Sequence, residues 1–175
     1  MKTIYLGLGS NLGEREANLQ RAIDLLAVEG LLLRRVSSVY ESDPLYVTNQ
    51  PPFLNLVVEA ETNGFPRMLL RRTQRLEREM GRVRTIEKGP RLIDIDILLF
   101  GNFVVHAPEL VIPHPRMHER RFVLEPLCEI APELRHPITK QKFKDMFQLV
   151  RGQSCRKLAL RLNLTQAPAS EADSR

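Results

Sequence analysis

The stretch Gly89-Pro90-Arg91-Leu92-Ile93-Asp94-Ile95-Asp96-Ile97-Leu98-Leu99-Phe100 sets two carboxylates inside an otherwise apolar run. On a β-strand residues i and i+2 share a face, so Asp94 and Asp96 point one way while Ile93, Ile95 and Ile97 point the other. On a helix, residues two apart diverge by roughly 200°, and the β-branched content favours a strand in any case. The isoleucines therefore read as core and the aspartates as a candidate site. Two like charges about 7 Å apart on an apolar strand repel each other and lose hydration unless a cation compensates them. Hard oxygen ligands without nearby Cys or His favour Mg²⁺ or Mn²⁺ over zinc. A solvated strand face with two ordinary aspartates would give the same run, so the flanking chain has to decide.

Immediately upstream, Arg82-Val83-Arg84-Thr85-Ile86-Glu87-Lys88-Gly89-Pro90-Arg91 is a basic, glycine-bearing loop. Basic groups beside a carboxylate pair are what a metal-bound polyphosphate needs, and the juxtaposition is more specific than either half. Before the loop, residues 66–80 read as a helix. Pro66 sits in its first turn, Leu69, Thr73, Leu76 and Met80 form its inner stripe, and Gly81 stops it. Arg67, Arg71, Arg75 and Arg78 read as its solvated face, while Gln74 and Glu77, one turn apart, are candidate site residues.

The 175 residues, 43% hydrophobic and 27% charged, fit one globular domain. Its expected extent is 1–164, with 165–175 as a disordered tail. No apolar leader or membrane-length segment is present in the sequence, so a cytoplasmic location is expected. Cys128 and Cys155 lack CxxC spacing and read as structural thiols. A net charge of +5 and a pI near 9.6 imply an anionic partner, either nucleic acid or a phosphorylated small molecule.

In chain order, residues 3–8 read as a buried strand ending in Gly7-Leu8-Gly9-Ser10-Asn11-Leu12-Gly13. A dinucleotide fingerprint needs glycine at position 12, where Leu12 stands, so a Rossmann reading is rejected. Asn11 with Glu14 instead resembles a capping box for a helix whose apolar positions are Leu19, Ala22, Ile23 and Leu26, stopped at Gly30. Residues 31–42 read as one long strand, 43–52 as a loop and 53–61 as a strand. In the last, Leu54, Leu56, Val58 and Ala60 share one face and Phe53, Asn55 and Val57 the other. An aromatic plane beside an amide suits a flat heterocycle with hydrogen-bonding edges; Phe in core with Asn near a turn is an equally good account. A Gly101-Asn102 turn with Val104-Val105 reads as a hairpin. His114 and His118 stand four apart, but Pro115 disfavours the helix that a zinc pair would need. Residues 122–127 and 142–150 read as helical cover for the sheet.

These blocks together resemble the 6-hydroxymethyl-7,8-dihydropterin pyrophosphokinases of folate biosynthesis. The similarity runs through Gly7-Leu8-Gly9-Ser10-Asn11-Leu12, Phe53-Leu54-Asn55, Gln74-Arg75-Leu76-Glu77, Gly81-Arg82-Val83-Arg84, Gly89 to Ile97 and Pro113-His114-Pro115-Arg116. It implies an α+β, ferredoxin-like fold with a mainly antiparallel sheet and flanking helices. It also implies transfer of pyrophosphate from ATP to the pterin hydroxymethyl group, releasing AMP. By resemblance, Asp94 and Asp96 hold two Mg²⁺ ions, and Arg82, Arg84 and Arg91 neutralise phosphate. Gln74, Glu77, Ile97, His114 and Arg120 place ATP. Phe53 and Phe122 sandwich the pterin, with Ser42, Asp43, Leu45 and Asn55 around it. The implied partners are ATP and the pterin, with neither nucleic acid nor membrane, and a monomer is expected. Two departures stand out: the loop before Pro90 is one residue shorter than in the familiar bacterial members and lacks their tryptophan, and Phe53 replaces a tyrosine of some members.

A basic nucleic-acid-binding sheet is the rival class. It predicts surface aromatics in an RNP-like run and no aspartate pair, because carboxylates repel a phosphate backbone. A similarly folded enzyme that transfers a single phosphoryl group is the second rival. The segments 43–50 and 82–89 are the candidates for sealing the site.

Overall fold

The computed structural model describes residues 1–81 and 87–164. In order they form β1 (Lys2–Ser10), α1 (Arg15–Val28), β2 (Leu32–Val36), β3 (Tyr40–Ser42), β4 (Phe53–Thr62), α2 (Pro66–Glu79), β5 (Asp94–Phe100), β6 (Val105–Ala107) and β7 (Leu110–Ile112). A 3-10 turn (Met117–Glu119), α3 (Arg121–Ile130), α4 (Phe143–Val150) and β8 (Cys155–Lys157) follow. Six strands make one antiparallel sheet in the order β5-β1-β4-β3-β8, with β2 beside β3 along the same edge of β4. The class is α+β, as the resemblance implied, and the antiparallel ladder excludes the parallel sheet of a Rossmann unit.

Period two sorts the side chains into two cores. Ile4, Leu6 and Leu8 of β1, Leu54, Leu56, Val58 and Ala60 of β4, and Ile93, Ile95 and Ile97 pack against α1 and α2. Tyr5, Val57, Leu98 and Leu99 pack instead against α3 and α4, the two consecutive leucines sharing a side because the β1–β5 register shifts between Tyr5 and Leu6. The sheet is thus sandwiched between two helical layers, and burial of both faces supplies most of the driving force. Asp94 and Asp96 lie on the α3 side, opposite the isoleucines, as alternation requires. Among the described residues no helix is long and apolar enough to cross a membrane. Cys128 and Cys155 are free thiols that burial pushes up to about 11 and about 12.

Three local expectations are corrected. The 31–42 strand is two strands, because Ser37, Ser38 and Val39 take long-range partners. The Ser37 amide donates to Val57 O at 2.9 Å and its Oγ accepts from Val57 N at 3.0 Å, while Ser38 donates twice to Glu129 on α3. Val39 exchanges backbone hydrogen bonds with Leu158 and Leu160. Asn11 does not cap α1, which starts at Arg15 behind Glu14 without a side-chain cap; its amide is engaged elsewhere. The hairpin after β5 pairs β6 with β7, whereas the Gly101 amide closes against Thr3 O at 2.7 Å.

Candidate active site

Two glycines of β1 open the floor of the site. Asp94 lies opposite Gly9, which on its other side lies opposite Asn55, and Asp96 lies opposite Gly7. Directly opposed residues of an antiparallel ladder share a face, so the carboxylates of β5 and the amide of β4 look across Gly7 and Gly9, which put no side chain between them. A Cβ on Gly9 would sit 3.3 Å from Asn55 Oδ1, so glycine is what the amide requires there.

Over this floor is a cavity of about 520 Å³. Ser42, Asp43, Leu45, Phe53, Asn55 and Phe122 line one part of it, and Arg91, Asp94, Asp96, His114 and Arg120 another. A second cavity, about 290 Å³, runs along the edge of β5 between Leu70 of α2 and Pro108 to Val111, with Ile97 on its wall. The two share Asp96 and His114. Glu77 is buried behind the strand, accepting the Ile95 amide at 2.7 Å between the two aspartates. Gln74 is exposed on α2 and lines neither cavity. Arg82 and Arg84 lie outside the described residues.

Burial pushes the Asp96 carboxyl up to about 7, and the neighbouring Asp94 charge adds to it; Arg120 and Arg91 oppose the rise. Its side chain still keeps 34% of its surface open to the cleft. The Arg91 guanidinium reaches Asp94, Gly89 O at 3.1 Å and, at 5.8 Å, the ring of Phe53. Burial, then the charge of Arg120, pushes His114 down to about 4, so its ring is neutral at pH 7. Nδ1 accepts from the Arg116 amide at 3.1 Å, which leaves the proton on Nε2, 4.0 Å from Asp96 Oδ2. Arg120 Nε is buried with no hydrogen-bond partner among the described residues.

Asn55 donates to Ser42 Oγ at 2.8 Å, fixing its carboxamide upright at the cavity wall. Asn11, 1% exposed, joins three segments: Oδ1 accepts from Arg91 N at 2.8 Å, while Nδ2 donates to Gln50 Oε1 at 2.9 Å and Pro51 O at 3.0 Å. Gln50 in turn donates to Val47 O at 2.7 Å and Lys88 O at 3.1 Å. The sequence reading missed this junction because a buried side-chain bond across eighty residues leaves no local pattern. It also missed Tyr46, whose only signal was an exposed aromatic in a proline-rich loop.

The donor chemistry fits a divalent ion that shares its shell with substrate. No group of three or more His, Cys, Asp or Glu converges among the described residues. Mg²⁺ characteristically takes one or two carboxylates and completes its octahedron with water and phosphate oxygens. A raised carboxyl beside a second carboxylate is the electrostatic demand that such an ion meets.

The 7,8-dihydro-6-hydroxymethylpterin-pyrophosphokinase family model matches residues 5–132. The 2-amino-4-hydroxy-6-hydroxymethyldihydropteridine pyrophosphokinase of Bacillus subtilis is 45% identical over 136 residues, 77% of this chain and 81% of that protein. The Pseudomonas aeruginosa protein of the same name is 46% identical over 140 residues, 78% and 85% of the two chains. The folic acid synthesis protein fol1 of Pneumocystis carinii is 41% identical over 149 residues, 85% of this chain but 20% of that protein, so the chain spans about a fifth of that relative's length. Among solved structures, Plasmodium falciparum HPPK-DHPS with pteroate superposes with a TM-score of 0.69 at 17% identity, over 85% of this chain and 42% of that one, a likeness of fold. With the aspartate pair, the amide and the aromatic pair gathered around one cleft and most of the chain matched, this protein belongs to the 7,8-dihydro-6-hydroxymethylpterin-pyrophosphokinase family.

Proposed function

We propose that the chain transfers pyrophosphate from ATP to the hydroxymethyl group of 6-hydroxymethyl-7,8-dihydropterin, giving the pterin diphosphate and AMP, as a step of folate synthesis. The observation that carries this reading is the meeting of two cavities at Asp96 and His114. The larger takes the pterin ring between Phe53 and Phe122, with Asn55, Ser42, Asp43 and Leu45 around its edge. The smaller takes the nucleoside against Leu70 and Ile97, so the polyphosphate crosses the shared wall.

In the transfer the pterin hydroxyl oxygen bonds to the β-phosphorus and gives up its proton to solvent, the bond from that phosphorus to the α-phosphate oxygen breaks, and AMP leaves with that oxygen. The chain's task is positioning and charge neutralisation. Mg²⁺, two ions in this reading and held by Asp94 and Asp96, supplies charge neutralisation at the phosphates when bound. Arg91 and Arg120 add positive charge from the protein side, with Arg82 and Arg84 assigned to the same task. His114 Nε2–H is a neutral donor aimed at the shared wall. The segment 43–50 and the residues around Lys88 exclude water, since Gln50 already ties one to the other.

The path β1-α1-β2-β4-α2-β5 with order β5-β1-β4-β2 supports a ferredoxin-like core. A cytoplasmic monomer belongs to the same proposal, and the 165–175 tail lies outside the described residues. The test is product analysis with ATP, Mg²⁺ and reduced pterin. AMP with pterin diphosphate is the expected pair, and ADP with a pterin monophosphate would instead establish single phosphoryl transfer.

A further inference from the structure

Tyr46 lies on the wall of the larger cavity with 44% of its surface exposed. Three cations converge on its ring: Lys88 Nζ at 4.2 Å, Arg116 Cζ at 5.5 Å and Arg120 Cζ at 5.7 Å from the centroid. They come from two other parts of the chain, the basic loop before β5 and the ends of the 3-10 turn before α3. Arg120 also donates to the Tyr46 hydroxyl at a long 3.3 Å and stands 5.7 Å from the Phe122 ring, so its guanidinium lies between two aromatics at the cavity mouth. Lys88 holds a left-handed backbone, φ +57°, while its carbonyl accepts from Gln50.

Three like charges this close repel, and on an exposed surface each would turn into water. A ring face with negative quadrupole attracts all three at once and keeps them converged. We propose that Tyr46 is a positioning residue for the transfer step, its ring gathering Lys88, Arg116 and Arg120 at the cleft mouth where they meet the diphosphate that the pterin acquires. This rests on the proposed function and deepens it by assigning an anion-gathering plate to the segment 43–50. The hydroxyl accepts from Arg120 and Arg116, whereas the ring faces all three cations, so the ring is assigned the larger share of the role.

Two sets of variants test this. Tyr46→Ala should lower kcat about tenfold with its melting temperature unchanged, since the residue is exposed, while Tyr46→Phe should stay within about twofold of the parent. The chain has no tryptophan, so Tyr46→Trp gives a single indole whose emission should shift when inorganic pyrophosphate is titrated in, and not when sodium chloride matches its ionic strength. Full activity in Tyr46→Ala, a loss in Tyr46→Phe equal to that in Tyr46→Ala, or emission that pyrophosphate does not move would each overturn the proposal. A parent protein that forms no AMP would refute the proposed function instead, and the indole titration reads the cation cluster independently of it.

Discussion

Arg91 Nη1 and Asp94 Oδ2, three positions apart in the chain, meet at 2.7 Å with both side chains 20% exposed. Asp96 has no such docked guanidinium among the described residues: the His114 ring at 4.0 Å is neutral, and Arg120 and Arg91 act on it only through their charge. A guanidinium already docked on a carboxylate is placed to take up phosphate charge with little reorganisation.

Arg91→Ala should accordingly lower kcat by about 100-fold while weakening ground-state ATP binding much less. Single-turnover kinetics beside calorimetric ATP titration separates the two. Equal losses would make Arg91 a substrate-binding group and nothing more.

Asp96→Asn should abolish turnover yet stabilise the ligand-free fold. The carboxyl rises from 3.8 to about 7, so between those values the folded chain binds more protons than the unfolded one and stability falls as pH rises. Removing the charge lifts that loss, by about 1 kcal/mol once screening by cleft water is allowed for, or about 2–4 °C at this chain length. Thermal melts of both proteins at pH 3 and pH 8 should converge at the lower pH, below both values. Asp94→Ala and Asp94→Asn should also lose turnover, since a neutral amide keeps shape without neutralising a cation.

Asn55→Ala should weaken pterin binding by about 1–3 kcal/mol and leave ATP binding intact, because a buried heterocycle edge loses its partner. Phe53→Tyr should be tolerated, as the ring plane is retained. Calorimetry with each ligand alone checks both, and a matching loss for ATP would remove Asn55 from the pterin side.

Glu129 offers a control away from the chemistry. Burial pushes its carboxyl up, but hydrogen bonds from the Tyr40 hydroxyl and from Ser38, with the charge of Lys157, hold it below its ordinary 4.5. A depressed carboxyl stabilises the fold above its unfolded value and loses that contribution as pH falls through the folded one. Glu129→Gln should thus destabilise the protein by about 1–3 kcal/mol at pH 7 and by less near pH 3, with kcat unchanged. Denaturant melts at the two pH values provide the measurement.

Much of this was legible from alternation. Ile93, Ile95 and Ile97 against Asp94 and Asp96, and Leu54, Leu56 and Val58 against Phe53 and Asn55, assign faces from spacing alone, and the site residues follow once both faces are known to meet across β1. Period two says nothing about partners far away in sequence. Hence Ser37 to Val39 read as strand while Glu129 and Leu160 were recruiting them, and Asn11 read as a cap while it bridged to Gln50 and Arg91. Gln74 and Glu77, one helical turn apart, sit at the rim of one face of α2, where Glu77 is buried and Gln74 exposed, a difference that spacing alone does not give.

The Asn11 junction has a consequence for inhibitor design. One carboxamide holds the chain at Arg91 through its oxygen and the chain at Gln50 and Pro51 through its nitrogen, a combination that aspartate lacks and glutamine would offer from the wrong reach. A compound that displaces the chain at Arg91 should therefore strain the same amide as one that displaces Gln50 or Pro51. Substitutions that loosen one flank should then loosen the other.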